Sequence, residues 1–124
     1  MPMDDSILNS VKRDLVGIMP DDTAFDATLI NLINSVFTIL WEMGVGPKDG
    51  FRIIDDDSFW TDYLPESPVL NLVRSYVPSK VKMLFDTPIN GSTKEALAEQ
   101  IREAEWRLSV AVDHPDTFKE EEEA

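Results

Sequence analysis

The densest group of chemistry-bearing side chains is Asp55-Asp56-Asp57, with Asp62 following closely. Such a run could hold a divalent cation. A calcium loop, however, needs acids at alternating positions, a central glycine and a distal glutamate. The segment IDDDSFWTD has no glycine after its second acid and lacks that pattern. It reads instead as a cap, with Asp57 or Ser58 opening a short helical turn. His114 is the only histidine. It precedes Pro115 at a predicted helix end, where an imidazole interacts with the last carbonyls, and nothing points to a serine partner for it. GVGPKDG carries three glycines and a lysine, but not the GxxxxGK[ST] spacing of a phosphate loop, so it reads as a turn. There is no cysteine, hence no disulfide, thiol nucleophile or thiolate metal site. These residues predict no catalytic site, no metal site and no cofactor.

The overall charge excludes another class. The 124 residues carry a formal net charge of -13, and the pI is about 4.2. Such a surface repels nucleic-acid backbones, so ordinary DNA or RNA binding is not expected. A solvated acidic surface, a mimic of nucleic acid and a protein that stands beside DNA without gripping it all remain open. The start MPMDDSILNS has neither the basic nor the long apolar segment of a signal peptide. No run approaches the roughly 18 apolar residues needed to span a bilayer. A soluble, intracellular protein with no membrane partner is expected.

The elements that must position any site are mainly helical. A first helix is predicted from about Asp5 to Val16, with Asp4, Asp5 and Ser6 as caps, a stripe of Ile7, Leu8, Val11 and Leu15, and Gly17 as a stop. A second runs from about Phe25 to Met43 and stops at Gly44. A turn-rich insertion follows, with a short extended run at 51–54 and one helical turn near 58–63. A third helix spans about Pro68 to Phe85. Pro78 should kink or break it, because that residue cannot donate to the carbonyl of Arg74. Ser92 and Glu95 have capping-box spacing and open a fourth helix to about Val112. The expected fold is a small bundle of about four helices with a short β/turn insertion. It forms one domain over residues 1–113, and residues 114–124 form an acidic, disordered tail.

Two helices carry more apolar surface than one small core requires. On the second, Leu29, Ile33, Val36, Leu40 and Met43 form one stripe, and Ile30, Phe37 and Trp41 form another beside it. That helix must be covered on at least two sides, either as the central helix or at a subunit interface. On the fourth, Leu97, Ile101, Ala104, Leu108 and Val112 face inward, while Trp106 and Val110 fall among charged residues on the opposite face. An outward tryptophan is a good interface anchor. The third helix has no acid between Val69 and Phe85, and its Arg74, Lys80 and Lys82 make it locally positive. Self-association is the pattern's natural reading.

Four segments occur in a fixed order: INSVFTILWEMGVGPKDGFRI, then W-x-D-x-L at Trp60–Leu64, then VRSYVPSKVKMLFDTP, then EQIREAEWRLSV. Together they resemble the head–tail connector proteins of long-tailed double-stranded DNA phages, the small adaptors that dock under the portal. The resemblance covers roughly Ile7 to Asp113. Pro78 is a departure, since the family usually keeps that helix continuous.

The resemblance implies a structural, non-enzymatic protomer that assembles into a ring of about twelve copies. The ring would join the portal to the next neck or tail component, in a virion neck assembled in the host cytoplasm. Packaged DNA would pass through its channel without specific binding. The family's portal-docking helix maps to the segment with Trp106, Arg107 and Val110, which could also meet a neighbouring subunit. Ile30, Phe37, Trp41, Arg74 and Lys82 become candidates for contact between subunits, and Asp55, Asp56 and Asp57 for acids facing the channel. The alternative from another class is an acidic DNA mimic that inhibits a nucleic-acid enzyme.

Overall fold

A computed structural model describes residues 6–15, 18–19 and 21–113. The predicted acidic tail, His114, the Gly17 stop and the caps Asp4 and Asp5 lie outside the described residues. Five helices are present among those described: α1 (Ile7–Arg13), α2 (Asp26–Glu42), α3 (Trp60–Tyr63), α4 (Pro68–Phe85) and α5 (Gly91–Asp113). The mainly α bundle is as expected. No strand forms among the described residues, and the only sheet-like pairing there is a single bridge between Ser6 and Phe59.

Local chemistry sets the helix ends. Ser6 caps α1, its side chain accepting from Asn9 N at 3.3 Å. Ser67 caps α4 by accepting from Leu70 N at 3.1 Å, and Pro68 takes a first-turn position where no N–H is needed. The predicted box at Ser92 is not the start of α5. Asn90 accepts from Thr93 N at 3.1 Å and so caps the helix two residues earlier, leaving Ser92 inside it. At the end of α2 the backbone turns through Gly44 at a φ of 89°, a conformation that only glycine adopts without cost.

The centre of the bundle is α4, which packs against α1, α2 and α5. Its buried face includes Leu70, Val73, Tyr76, Val77 and Val81. The predicted break at Pro78 does not occur: α4 is one helix from Pro68 to Phe85. Pro78 is buried, and packing on three sides outweighs the single missing backbone bond.

The broad apolar surface of α2 is covered from two directions. Leu29, Ile33, Val36 and Leu40 are buried with the other helices. The second stripe is covered by the insertion. Phe37 lies 5.1 Å from Phe51, 4.7 Å from Tyr63 and 6.4 Å from Trp60, centroid to centroid. Phe37 is therefore a core residue, 1% exposed, and the expected contact between subunits at that position is corrected. Trp60 is buried as well, its indole Nε1 donating to Ser10 Oγ at 3.1 Å.

The extended run at 51–54 is held by a side chain instead of a strand. Asn34 on α2 exchanges two hydrogen bonds with Ile53. α1 is anchored to the same insertion by Ile7 N donating to Ser58 O at 2.9 Å. It is tied to α2 by Lys12, which is 2% exposed and pairs with Asp26 at 2.9 Å.

Candidate docking surfaces

Helix α5 presents two unlike faces. Leu97, Ile101, Leu108 and Ala111 are buried against the bundle. Ala111 occupies the inward place predicted for Val112, which is partly exposed. The register of α5 on α4 is set at Glu105. Its carboxylate accepts from Tyr76 OH at 2.8 Å and pairs with Lys80 Nζ at 3.5 Å. Burial, then the bond to Glu105, raises the Tyr76 phenol above its usual range. The next residue, Trp106, is 67% exposed.

Trp106, Arg107 and Val110 line a groove of about 480 Å³ with Pro68, Asn71 and Leu72 of α4. The three residues singled out in the sequence are thus brought together. Their α4 partners were not legible, because which face of α4 meets α5 depends on tertiary packing. Arg107 pairs with Glu103 at 3.0 Å, one helical turn back, an exposed contact that orients the guanidinium more than it stabilises the helix. An exposed indole beside apolar Val110 and Leu72, rimmed by an amide and a guanidinium, has the make-up of an interface hot spot.

The other candidate contact residues do not form one patch. Ile30 is half-buried against the core. Trp41 is 50% exposed, and its Nε1 donates to Lys48 O at 2.9 Å. Arg74 pairs with Glu66 and holds that exposed carboxyl below its usual range. Lys82 lies two helical turns further along α4, about 12 Å away, in a hollow with Asp14, Leu97 and Gln100.

Asp55, Asp56 and Asp57 are exposed, with carboxylate oxygens within 4.8 Å of one another. Asp55 Oδ1 accepts from Asp57 N at 2.9 Å, so part of this cluster simply shapes its own turn. The predicted capping of α3 by Asp57 or Ser58 is replaced by Asp62, which reaches back to accept from Phe59 N at 2.8 Å. No helix among the described residues is long and apolar enough to cross a membrane.

Five helices, a central α4 and an exposed aromatic edge on α5 describe a building block, with the distinctive chemistry on its outer faces. A family model described as phage connector protein matches residues 7–115. The chain belongs to the phage connector protein family, and so is a structural protein of the phage head–tail connection. No curated protein and no solved structure matches it.

Proposed function

We propose that the protein is a ring-forming adaptor of the virion neck, joining the portal to the next neck or tail component and extending the DNA channel. About twelve copies would form the ring, with cyclic symmetry. The observation that carries this reading is the groove at Trp106, Arg107 and Val110, an apolar docking edge left open on a protomer whose own core is complete. That edge takes the portal or the neighbouring subunit. Trp41, half-exposed on α2, borders a second groove.

The charge of the chain fits a conduit. At -13, the protomer gives packaged DNA no counterion-releasing grip, so DNA can slide past. Asp55, Asp56 and Asp57, on an exposed turn, are the acids assigned to the channel wall. Mass measurement by light scattering, with and without the cognate portal, tests the proposal. A ring, or many copies carried by the portal, is expected. A monomer that ignores the portal contradicts it.

A further inference from the structure

A groove of about 610 Å³ runs between α2 and residues 49–52. One wall is the polar arc of α2, with Asn31, Ser35 and Thr38. Phe51 and the half-exposed indole of Trp41 supply aromatic surface. That indole is fixed in place. Its Nε1 donates to Lys48 O, and its Cδ1 lies 3.9 Å from where a Cβ on Gly50 would stand.

Two basic side chains stand at this edge. Arg52 lines the groove, and Lys48 adjoins it through the carbonyl that holds Trp41. Both side chains are exposed, and neither has an ion pair among the described residues. In contrast, Arg74, Lys80, Arg102 and Arg107 each pair with a glutamate. The lining itself holds one acid, Asp49, and one cation, Arg52, with Lys48 as a second cation at its edge.

Helix α5 delivers the rest of the chain to this place. A Val112 methyl lies 3.3 Å from the Cβ position of Gly44, so α5 ends beside the last turn of α2. Along that helix, Trp41 is only about 5 Å away. Beyond Asp113 the sequence is HPDTFKEEEEA. Phe118 lies within about 17 Å of extended chain from that exit. After it come Lys119 and then four consecutive glutamates. An aromatic residue followed by acids is the complement of an aromatic groove edged by two unpaired cations.

We infer that residues 117–123 dock into the α2 groove of their own chain, with Phe118 against Phe51 and Trp41 and the glutamates against Lys48 and Arg52. The tether makes this docking effective even with few contacts, because it holds the segment at high local concentration. Docking covers Trp41, and salt releases it, since the charged contacts lie at the surface. This inference is independent of ring formation.

Because the chain lacks cysteine, Ala124→Cys allows a single nitroxide label on the full-length protein. The expected result is loss of more than about half the intensity of the Trp41 indole N–H resonance, as a tethered segment demands. The Ile89 amide should stay sharp, because it lies at the far end of α5, about 35 Å away along the helix. Adding Lys48→Glu with Arg52→Glu should restore the Trp41 signal. Replacing Glu120, Glu121, Glu122 and Glu123 by glutamine should restore it too, without touching the groove. A sharp Trp41 signal in the labelled protein overturns the inference, as does broadening that neither set of substitutions relieves. Broadening seen only between separate copies, when labelled and isotope-enriched chains are mixed, also overturns it and gives the groove to a neighbour's tail.

Discussion

Asn34 and Ile53 hold each other through a reciprocal pair of hydrogen bonds. Asn34 Nδ2 donates to Ile53 O at 3.0 Å, and Ile53 N donates to Asn34 Oδ1 at 2.7 Å. The amide does for residues 51–54 what a neighbouring strand would do, satisfying both backbone groups of a residue that is 1% exposed. This contact keeps the insertion folded over α2 and the Phe51 ring against Phe37.

Asn34→Ala should therefore cost about 1–3 kcal/mol, since it strands a buried donor and acceptor. Urea denaturation followed by circular dichroism measures it. A midpoint equal to that of the unsubstituted protein would show that the insertion does not depend on this amide.

Gly46 and Gly91 should respond oppositely to alanine. Gly46 has a φ of 90°, and a Cβ there would stand 2.5 Å from Tyr63 Oη. That hydroxyl donates to Val45 O at 3.2 Å in the core, so it cannot simply move aside. Gly46→Ala should destabilise the protein by at least about 1 kcal/mol through strain alone. A Cβ on Gly91 meets nothing within 4 Å, and in a helix alanine is favoured, so Gly91→Ala should be neutral or stabilising by up to about 1 kcal/mol. Equal melting temperatures for the two variants would refute the geometry at Gly46.

The two tyrosines govern stability in alkali. Burial raises the Tyr63 phenol, and burial with the Glu105 bond raises that of Tyr76, both from an ordinary value of 10.0. A raised folded-state value means that the native protein holds the proton more tightly than the unfolded chain does. The resulting stabilisation is complete below about pH 10 and declines as the pH rises above it. No other tyrosine is present, so phenolate absorbance should appear together with loss of helical signal. Phenolate formation near pH 10 with the helices intact would contradict the burial of both rings.

Leu40 and Trp106 separate folding from assembly. Leu40 is fully buried, and Leu40→Ala should cost about 2–5 kcal/mol. Trp106→Asp, on an open face, should change stability by less than about 0.5 kcal/mol yet weaken portal binding or self-association. Unchanged binding by that variant would remove the α5 edge from the docking assignment.

Much of this architecture was legible because it rests on local periodicity. The stripes of α1 and α2, the outward position of Trp106 and the serine cap of α1 all follow from helical spacing. Three features were hidden because they depend on distant partners. Pro78 breaks an isolated helix, but α4 is held by three neighbours. Phe37 looked like surplus apolar surface because the ring that covers it, Phe51, belongs to a segment with no regular pattern. Asn34 is one polar residue on a largely apolar helix, and nothing in that helix announces the backbone it holds. The capping box at Ser92 was a true spacing in the wrong place, two residues inside a start set by Asn90.

The central claim is that this acidic protomer assembles around the portal through the α5 edge. Mass by light scattering on the mixture with the cognate portal tests it most directly, run in parallel with Trp106→Asp. The account predicts a particle carrying many copies of the protein, about twelve if the ring is closed, and a clear loss of those copies in the variant. A monomer of 14.0 kDa that leaves the portal's mass unchanged would contradict it.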